Sequence, residues 1–172
     1  SFLPLTFQKN HVMAKTQNTT SKKVSAIAAD HGKIPPQALD LEGAVLGAIM
    51  LERDAILSVI DILKPECFYQ EAHQKIYTAA LELSIREKPI DLLTITEELR
   101  KKEQLDEVGG ATYISQLTSR VGSAAHLEYH ARIVAQKYIQ RELIRVSTEI
   151  QTKSYDETID VDDLLDFSER EL

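Results

Sequence analysis

Along most of the chain, large apolar residues recur at spacings of three and four, the period of an amphipathic α-helix. The first stripe contains Leu41, Val45 and Ile49, and Asp40 precedes it as a predicted N-cap. A shorter second helix is predicted from Ile56, Val59, Ile60 and Leu63. It should end before Pro65, because the residue that precedes a proline is displaced from the α region.

Three further helices are predicted before residue 123. One runs from about residue 71 to residue 87, with Ile85 among its inward positions. The next runs from about 95 to 102 and opens with a capping box formed by Thr94 and Glu97. A short fifth helix ends at Gly122. We assign the following residues to the core of this part: Leu41, Val45, Ile49, Leu57, Ile60, Ile76, Tyr77, Leu81 and Leu99.

A long helix is predicted from Ser123, its N-cap, to about Thr152, because this stretch contains neither proline nor glycine. At about 1.5 Å per residue it would form a rod of roughly 45 Å, whereas the preceding residues 34–122 would form a head only about 30 Å across. The rod should therefore protrude. After a polar turn, Asp160 caps a last apolar segment that can fold back on the rod as an antiparallel hairpin.

The predicted fold is all-α, with a disordered tail over residues 1–34, a globular helical head over 35–122 and a helical hairpin over 123–172. Residues 13–33 have few large apolar side chains, so they cannot offset the entropy of ordering their backbone. Residues 1–12, which precede Met13, are interpreted as an expression remnant or an upstream extension of the reading frame. Two hairpin helices leave one side of their apolar stripes bare, which favours a second chain as its cover.

Charge narrows the class of partner. Residues 1–33 hold five lysines and one acid, a net of +4, whereas residues 34–172 hold 15 bases and 26 acids, a net of −11. Because non-specific affinity for nucleic acid comes mainly from neutralised phosphates, the acidic region should bind DNA and RNA poorly, and protein partners are favoured. The lone Cys67, the lack of a secretory segment and the lack of a long apolar run indicate a cytoplasmic protein with no membrane span.

Candidate catalytic chemistry is sparse. The single Gly-Lys pair, Gly32 and Lys33, lacks the other residues of a phosphate-binding loop. His126 and His130 stand four apart and could bind a transition metal, but no third ligand accompanies them, so ordinary histidines are favoured. Cys67 is interpreted as a small buried hydrophobe, and His73 as a packed or capping side chain rather than a base.

A series of spaced motifs follows one another in a recognisable order. Residues 36–47 read PQALDLEGAVLG, and further characteristic positions follow at Leu63, Pro65, Phe68, Tyr69, His73, Pro89, Ile90, Asp91, Gly109, Gly110, Tyr113, Tyr129, Arg141 and Leu143. Over about residues 35–150 this order resembles the N-terminal domain of bacterial replicative DNA helicases of the DnaB type. Asp40, Leu41 and Cys67 depart from the residues usual in that family, and its RecA-like motor is absent from the chain.

The resemblance implies an all-α, non-catalytic scaffold with a helical head and hairpin. It implies self-association through the hairpins into a trimer of dimers on a hexameric ring, and docking of a DnaG-type primase, with a helicase loader as a further partner. It also implies no cofactor or metal in this fragment, since ATP and Mg²⁺ would serve the motor of the parent helicase. We expect hairpin or subunit contacts at Ile139, Leu143, Val146, Ile150, Leu164, Leu165 and Phe167.

Two hypotheses from other classes remain at this point. An acidic all-α adaptor unrelated to helicases could recruit a basic protein. A small metal-dependent enzyme could use His126 and His130, and it would bind a stoichiometric metal.

Overall fold

The computed structural model describes residues 32–172, and residues 36–172 form one compact unit. The expectations for residues 1–31, which include the disordered tail and the origin of residues 1–12, lie outside the described part. Six α-helices and no strand occur within residues 32–172, so the predicted all-α class is confirmed. The helices are α1 (Leu39–Leu51), α2 (Glu71–Ile85), α3 (Leu92–Lys101), α4 (Gly110–Ser119), α5 (Leu127–Ser154) and α6 (Val161–Glu171).

The predicted second helix is wrong. A short 3₁₀ turn, Ala55–Ser58, stands in its place and follows Asp54, whose φ of 59° lies in the left-handed region. The tighter turn changes which side chains face inward. Ile56, Val59 and Leu63 are buried, whereas the predicted core residues Leu57 and Ile60 are exposed. Ile85, the last residue of α2, was also expected to face inward and is exposed.

The starts of α1, α3 and α5 differ from the sequence prediction by two to four residues, whereas α2 starts at Glu71 as predicted. Asp91 caps α3: its Oδ1 accepts the Leu93 and Thr94 N–H groups, each at 2.9 Å, and Thr94 Oγ1 accepts the Asp91 N–H at 2.9 Å. Thr94 is thus the inner member of the capping box, and its predicted pairing with Glu97 is wrong. Asp40 lies within the first turn of α1 instead of capping it, and α5 starts at Leu127 rather than after Ser123. Asp160 caps α6 as predicted, since its side chain accepts the N–H of Asp162 at 2.9 Å.

The core of the head lies between α1, α2, α3, α4 and the first part of α5. The predicted core residues Val45, Ile49, Ile76, Tyr77 and Leu99 are all buried, and Leu41 and Leu81 pack at its margin. From α5, the residues Leu127, Ala131 and Val134 belong to the same core. The core of the head therefore extends beyond residue 122, while the division of the chain into domains at that position stays a prediction.

α5 is the longest element, with 28 residues, and so spans about 42 Å. A six-residue connection leads from its end into α6, which returns along α5. Arg145 of α5 approaches Glu171 at the end of α6, with Nη2 and Oε2 3.6 Å apart, which fixes the antiparallel direction. No helix within residues 32–172 has the length and apolarity that crossing a membrane requires.

α1 and α4 approach each other closely at a glycine. An added Cβ on Gly47 would lie 2.2 Å from the backbone oxygen of Leu117 and 2.7 Å from Cγ2 of Val121. At Gly43, one turn earlier, it would lie 3.3 Å from the end of the Leu117 side chain. The crossing of α1 over α4 therefore requires glycine at position 47, whereas position 43 could accept a small side chain.

We expect Gly47→Ala to destabilise the protein by about 2 kcal/mol, because a backbone oxygen cannot move aside for the new methyl group. Gly43→Ala is the matched control, since it meets only a flexible side-chain end and gains helix propensity, so its effect should stay within about 1 kcal/mol. Urea unfolding of both variants measures the difference. Equal stabilities would contradict the close approach.

Candidate interaction surface

The hairpin carries all seven residues expected at hairpin or subunit contacts. On α5, the residues Ile139, Leu143, Val146 and Ile150 follow one another at spacings of four, three and four, so they form one stripe. Val146 is only 4% exposed and Ile150 is half-buried, whereas Ile139 and Leu143 are 55% and 50% exposed. The stripe is continuous in sequence but covered only in its second half.

On α6, Leu164 and Phe167 are half-buried. Two cations lie near the Phe167 ring: Lys153 Nζ of α5 is 4.8 Å from its centroid, and Arg170 Cζ is 5.6 Å away. Leu165 is exposed, and so is Val161 one turn before it. Val161 was not among the expected contact residues, although its spacing of four from Leu165 was a signal that could have included it.

The seven residues thus divide into two groups. Val146, Ile150, Leu164 and Phe167 are buried or half-buried within the hairpin itself. Ile139, Leu143 and Leu165 remain largely open to solvent. A role for this second group in contacts between subunits stays a prediction.

Charge limits how the hairpin can meet another protein. The outer side of α6 carries exposed acids at Asp162, Asp163, Asp166 and Glu169, and none of them forms an ion pair within residues 32–172. In contrast, Arg145 in the hairpin part of α5 forms ion pairs with Glu142, at 3.0 Å, and with Glu149, at 3.2 Å. A second copy would meet like charge at the outer side of α6, so the apolar stripe of α5 is the better surface for self-contact.

A buried polar cluster is the second notable arrangement. His73 of α2 is 2% exposed, and its Nδ1 lies 2.7 Å from Oε2 of Glu42, which is 1% exposed. The other ring nitrogen, Nε2, lies 2.7 Å from the Tyr113 hydroxyl of α4. Glu42 also accepts the backbone N–H of Tyr69 at 2.6 Å. The cluster joins three helices and the segment that precedes α2.

An acid, a histidine and a hydroxyl linked by hydrogen bonds resemble the catalytic groups of a hydrolase, but here the acid and the histidine are buried and the tyrosine is half-buried. Glu42 and His73 are closed off from solvent, and burial raises the pKa of Tyr113. Each polar side chain of the cluster has a hydrogen-bond partner inside the protein, so the arrangement stabilises the core. The interpretation of His73 as a packed side chain is confirmed. Glu42 was missed as its partner, although its spacing from Val45 and Leu46 already places it on the buried face of α1.

The other candidate catalytic or metal-binding residues are Cys67, His126 and His130. Cys67 is buried, its Sγ accepts the Lys64 N–H at 3.4 Å, and burial raises the pKa of the thiol, as expected for a small buried hydrophobe. The rings of His126 and His130 lie 6.1 Å apart, centroid to centroid. Within residues 32–172 no three potential metal ligands converge. The expectation that the fragment binds no metal stays a prediction for metal analysis to test.

Comparison with known proteins identifies close relatives. Residues 34–136 match the family model of the DnaB-like helicase N-terminal domain. The chain is 44% identical over 153 residues to the replicative DNA helicase DnaB of Rhodothermus marinus, and 46% identical over 140 residues to that of Geobacillus stearothermophilus. A crystal structure of the N-terminal domain of DnaB helicase from Mycobacterium tuberculosis matches with a TM-score of 0.76 at 39% identity.

The extent of these matches differs. The matches cover 89% and 81% of this chain but only 16% and 31% of the two helicases from Rhodothermus and Geobacillus. The mycobacterial domain structure is covered almost completely, at 97%, by 80% of this chain. The chain thus spans between about a sixth and a third of the length of the curated relatives.

We expect Tyr113→Phe to cost about 1–2 kcal/mol of unfolding free energy, because it leaves Nε2 of the buried His73 without its hydrogen-bond partner. Tyr129→Phe removes the hydroxyl of an exposed tyrosine and should change stability by less than about 0.5 kcal/mol. Urea unfolding at neutral pH compares the two variants. A Tyr113→Phe protein as stable as the wild type would remove the structural role assigned to the cluster.

Proposed function

The chain belongs to the family of DnaB-like helicase N-terminal domains, and from that premise we propose that it is the assembly and primase-docking domain of a hexameric replicative DNA helicase. The observation that carries the proposal is the uncovered stretch of α5 at Ile139 and Leu143, two large apolar side chains half open to water on a helix that is packed before and after them. Burial of such side chains against another copy is favourable.

A two-fold contact suits this surface. In an isologous interface the same patch occurs on both subunits and covers itself, so one apolar stripe per chain is sufficient. The acidic outer side of α6 disfavours pairing through that side, which directs the contact to α5. Three such dimers around a ring give a trimer of dimers, the arrangement that we propose for the parent protein in the bacterial cytoplasm.

The proposal separates the domain from the motor. ATP-driven unwinding of DNA, with ATP and Mg²⁺ as its cofactors, is proposed for the full-length protein, since the chain spans only 16% and 31% of the two helicases above. The fragment itself is proposed to act as a non-catalytic scaffold that holds a DnaG-type primase, with a helicase loader as a further partner. Family membership excludes the alternative of an adaptor unrelated to helicases.

The first test concerns self-association. We expect the double variant Ile139→Asp/Leu143→Asp to be monomeric at concentrations at which the wild type associates, because each buried carboxylate would lack a partner in the interface. Both side chains are exposed in the single chain, so the helical circular dichroism should be unchanged. Sedimentation velocity over a concentration series measures the result.

Ile144→Asp is the matched control. Ile144 is 51% exposed on the same helix, but it lies about 140° around the helix axis from Ile139 and so outside the stripe. This variant should sediment as the wild type does. A double variant that still associates, or a wild type that is monomeric at every concentration, would overturn the assembly role.

The second test concerns the partner. We expect the wild-type chain to bind the purified C-terminal helicase-binding domain of a DnaG-type primase saturably in isothermal titration calorimetry. The monomeric Ile139→Asp/Leu143→Asp variant, titrated in parallel, shows whether docking requires the paired hairpins. An absence of binding to the wild type would contradict primase docking and leave self-association standing.

A further inference from the structure

Arg141 makes an unusual set of contacts where α5 leaves the head. Its Nη1 donates to the backbone oxygen of Pro36, and its Nη2 donates to that of Cys67, both at 2.8 Å. Its guanidinium carbon also lies 5.4 Å from the centroid of the Tyr69 ring and 5.8 Å from that of Tyr138. One half-buried side chain thus ties α5 to two segments that lie 105 and 74 residues away in sequence.

The segment that Arg141 contacts is also held by hydrogen bonds from α1 and α2. The backbone oxygen of Phe68 accepts from Nε2 of Gln74 at 2.7 Å. The N–H of Tyr69 donates to Oε1 of the buried Glu42 at 2.6 Å. The backbone of residues 67–69 is therefore bound both by the acid of α1 and by the cation of α5, which anchors it to the core of the head.

The position of Arg141 along α5 gives these contacts their significance. Before it, Ala131 and Val134 are buried in the core of the head. Beyond it, the side chains of α5 form hydrogen bonds and ion pairs only with other residues of the hairpin, within the part that the structure describes. Arg141 is thus the last polar connection between the head and the projecting part of the helix.

We propose that Arg141 is the positioning residue that sets the angle between the head and the hairpin. Its planar guanidinium carries two donors in a fixed geometry, so it can satisfy two separate carbonyl oxygens while it packs on aromatic rings. A lysine at this position has the same charge but a single ammonium group. It could not hold both carbonyl oxygens in the same geometry.

One further step connects the angle at Arg141 to assembly. If the hairpins pair as described under the proposed function, the angle at Arg141 determines how two heads are placed around the pair. That step rests on the proposed function, whereas the angle itself is a property of the single chain. The test below therefore measures the single chain.

Spin labels on an exposed head residue and at the tip of the hairpin report the angle. Arg53→Cys and Tyr155→Cys supply the attachment sites, both strongly exposed, while the buried Cys67 is retained. Distances are measured by pulsed electron paramagnetic resonance, with the labelled protein diluted into unlabelled wild type so that only intramolecular pairs contribute. We expect Arg141→Met to broaden the distance distribution and shift its mean, and Arg141→Lys to broaden it less.

Arg132→Met is the matched control, because Arg132 lies on the same helix but is exposed and pairs only with Glu128, at 2.7 Å. It should leave the distance distribution unchanged. If Arg141→Met lowers the melting temperature yet keeps the wild-type distribution, Arg141 only stabilises the fold and the proposal is wrong.

A second pair of variants decides the question if Arg141→Met does not fold. Arg141→Lys and Tyr69→Leu each remove part of the contact set, and wild-type distributions in both would equally overturn the proposal. Because the distance is intramolecular, a wild type that fails to self-associate would refute the assembly role without changing this result. The two failures are therefore distinguishable.

Discussion

α5 takes part in two separate packing arrangements, and the remainder of the structure depends on this. Its first part completes the core of the head through Leu127, Ala131 and Val134. Its later part is covered by α6, which buries Val146. α5 is therefore the element that connects the head to the hairpin.

Polar contacts reinforce the connection between the head and α5. Buried carboxylates and imidazoles require partners, and Glu42, His73 and Tyr113 provide them for one another within the core. Glu42 uses its second oxygen to hold Tyr69, and the ring of Tyr69 faces Arg141. The polar interior of the head is therefore continuous with the junction to α5.

Some features with a local cause could be predicted from the sequence, although the caps expected at Asp40, at Thr94 with Glu97 and at Ser123 were wrong. The long proline-free stretch predicted α5, and an acidic cap predicted the start of α6 at Asp160. Features that depend on distant residues could not be predicted. Glu42 and His73 are 31 residues apart, and Arg141 donates to carbonyl oxygens in two remote segments. The 3₁₀ turn that exposes Leu57 was also not predicted, because the left-handed backbone of the preceding Asp54 leaves no periodic pattern in the sequence.

The uncovered part of the stripe follows from element lengths, which periodicity alone does not reveal. α5 is about 42 Å long, its head-bound residues 127–138 take about 18 Å, and the 11 residues of α6 cover about 16 Å, so about 8 Å remains. Ile139 and Leu143, one turn apart, lie in that interval. In the proposed two-fold assembly each copy would cover this interval of the other, so one short uncovered stretch per chain would be sufficient.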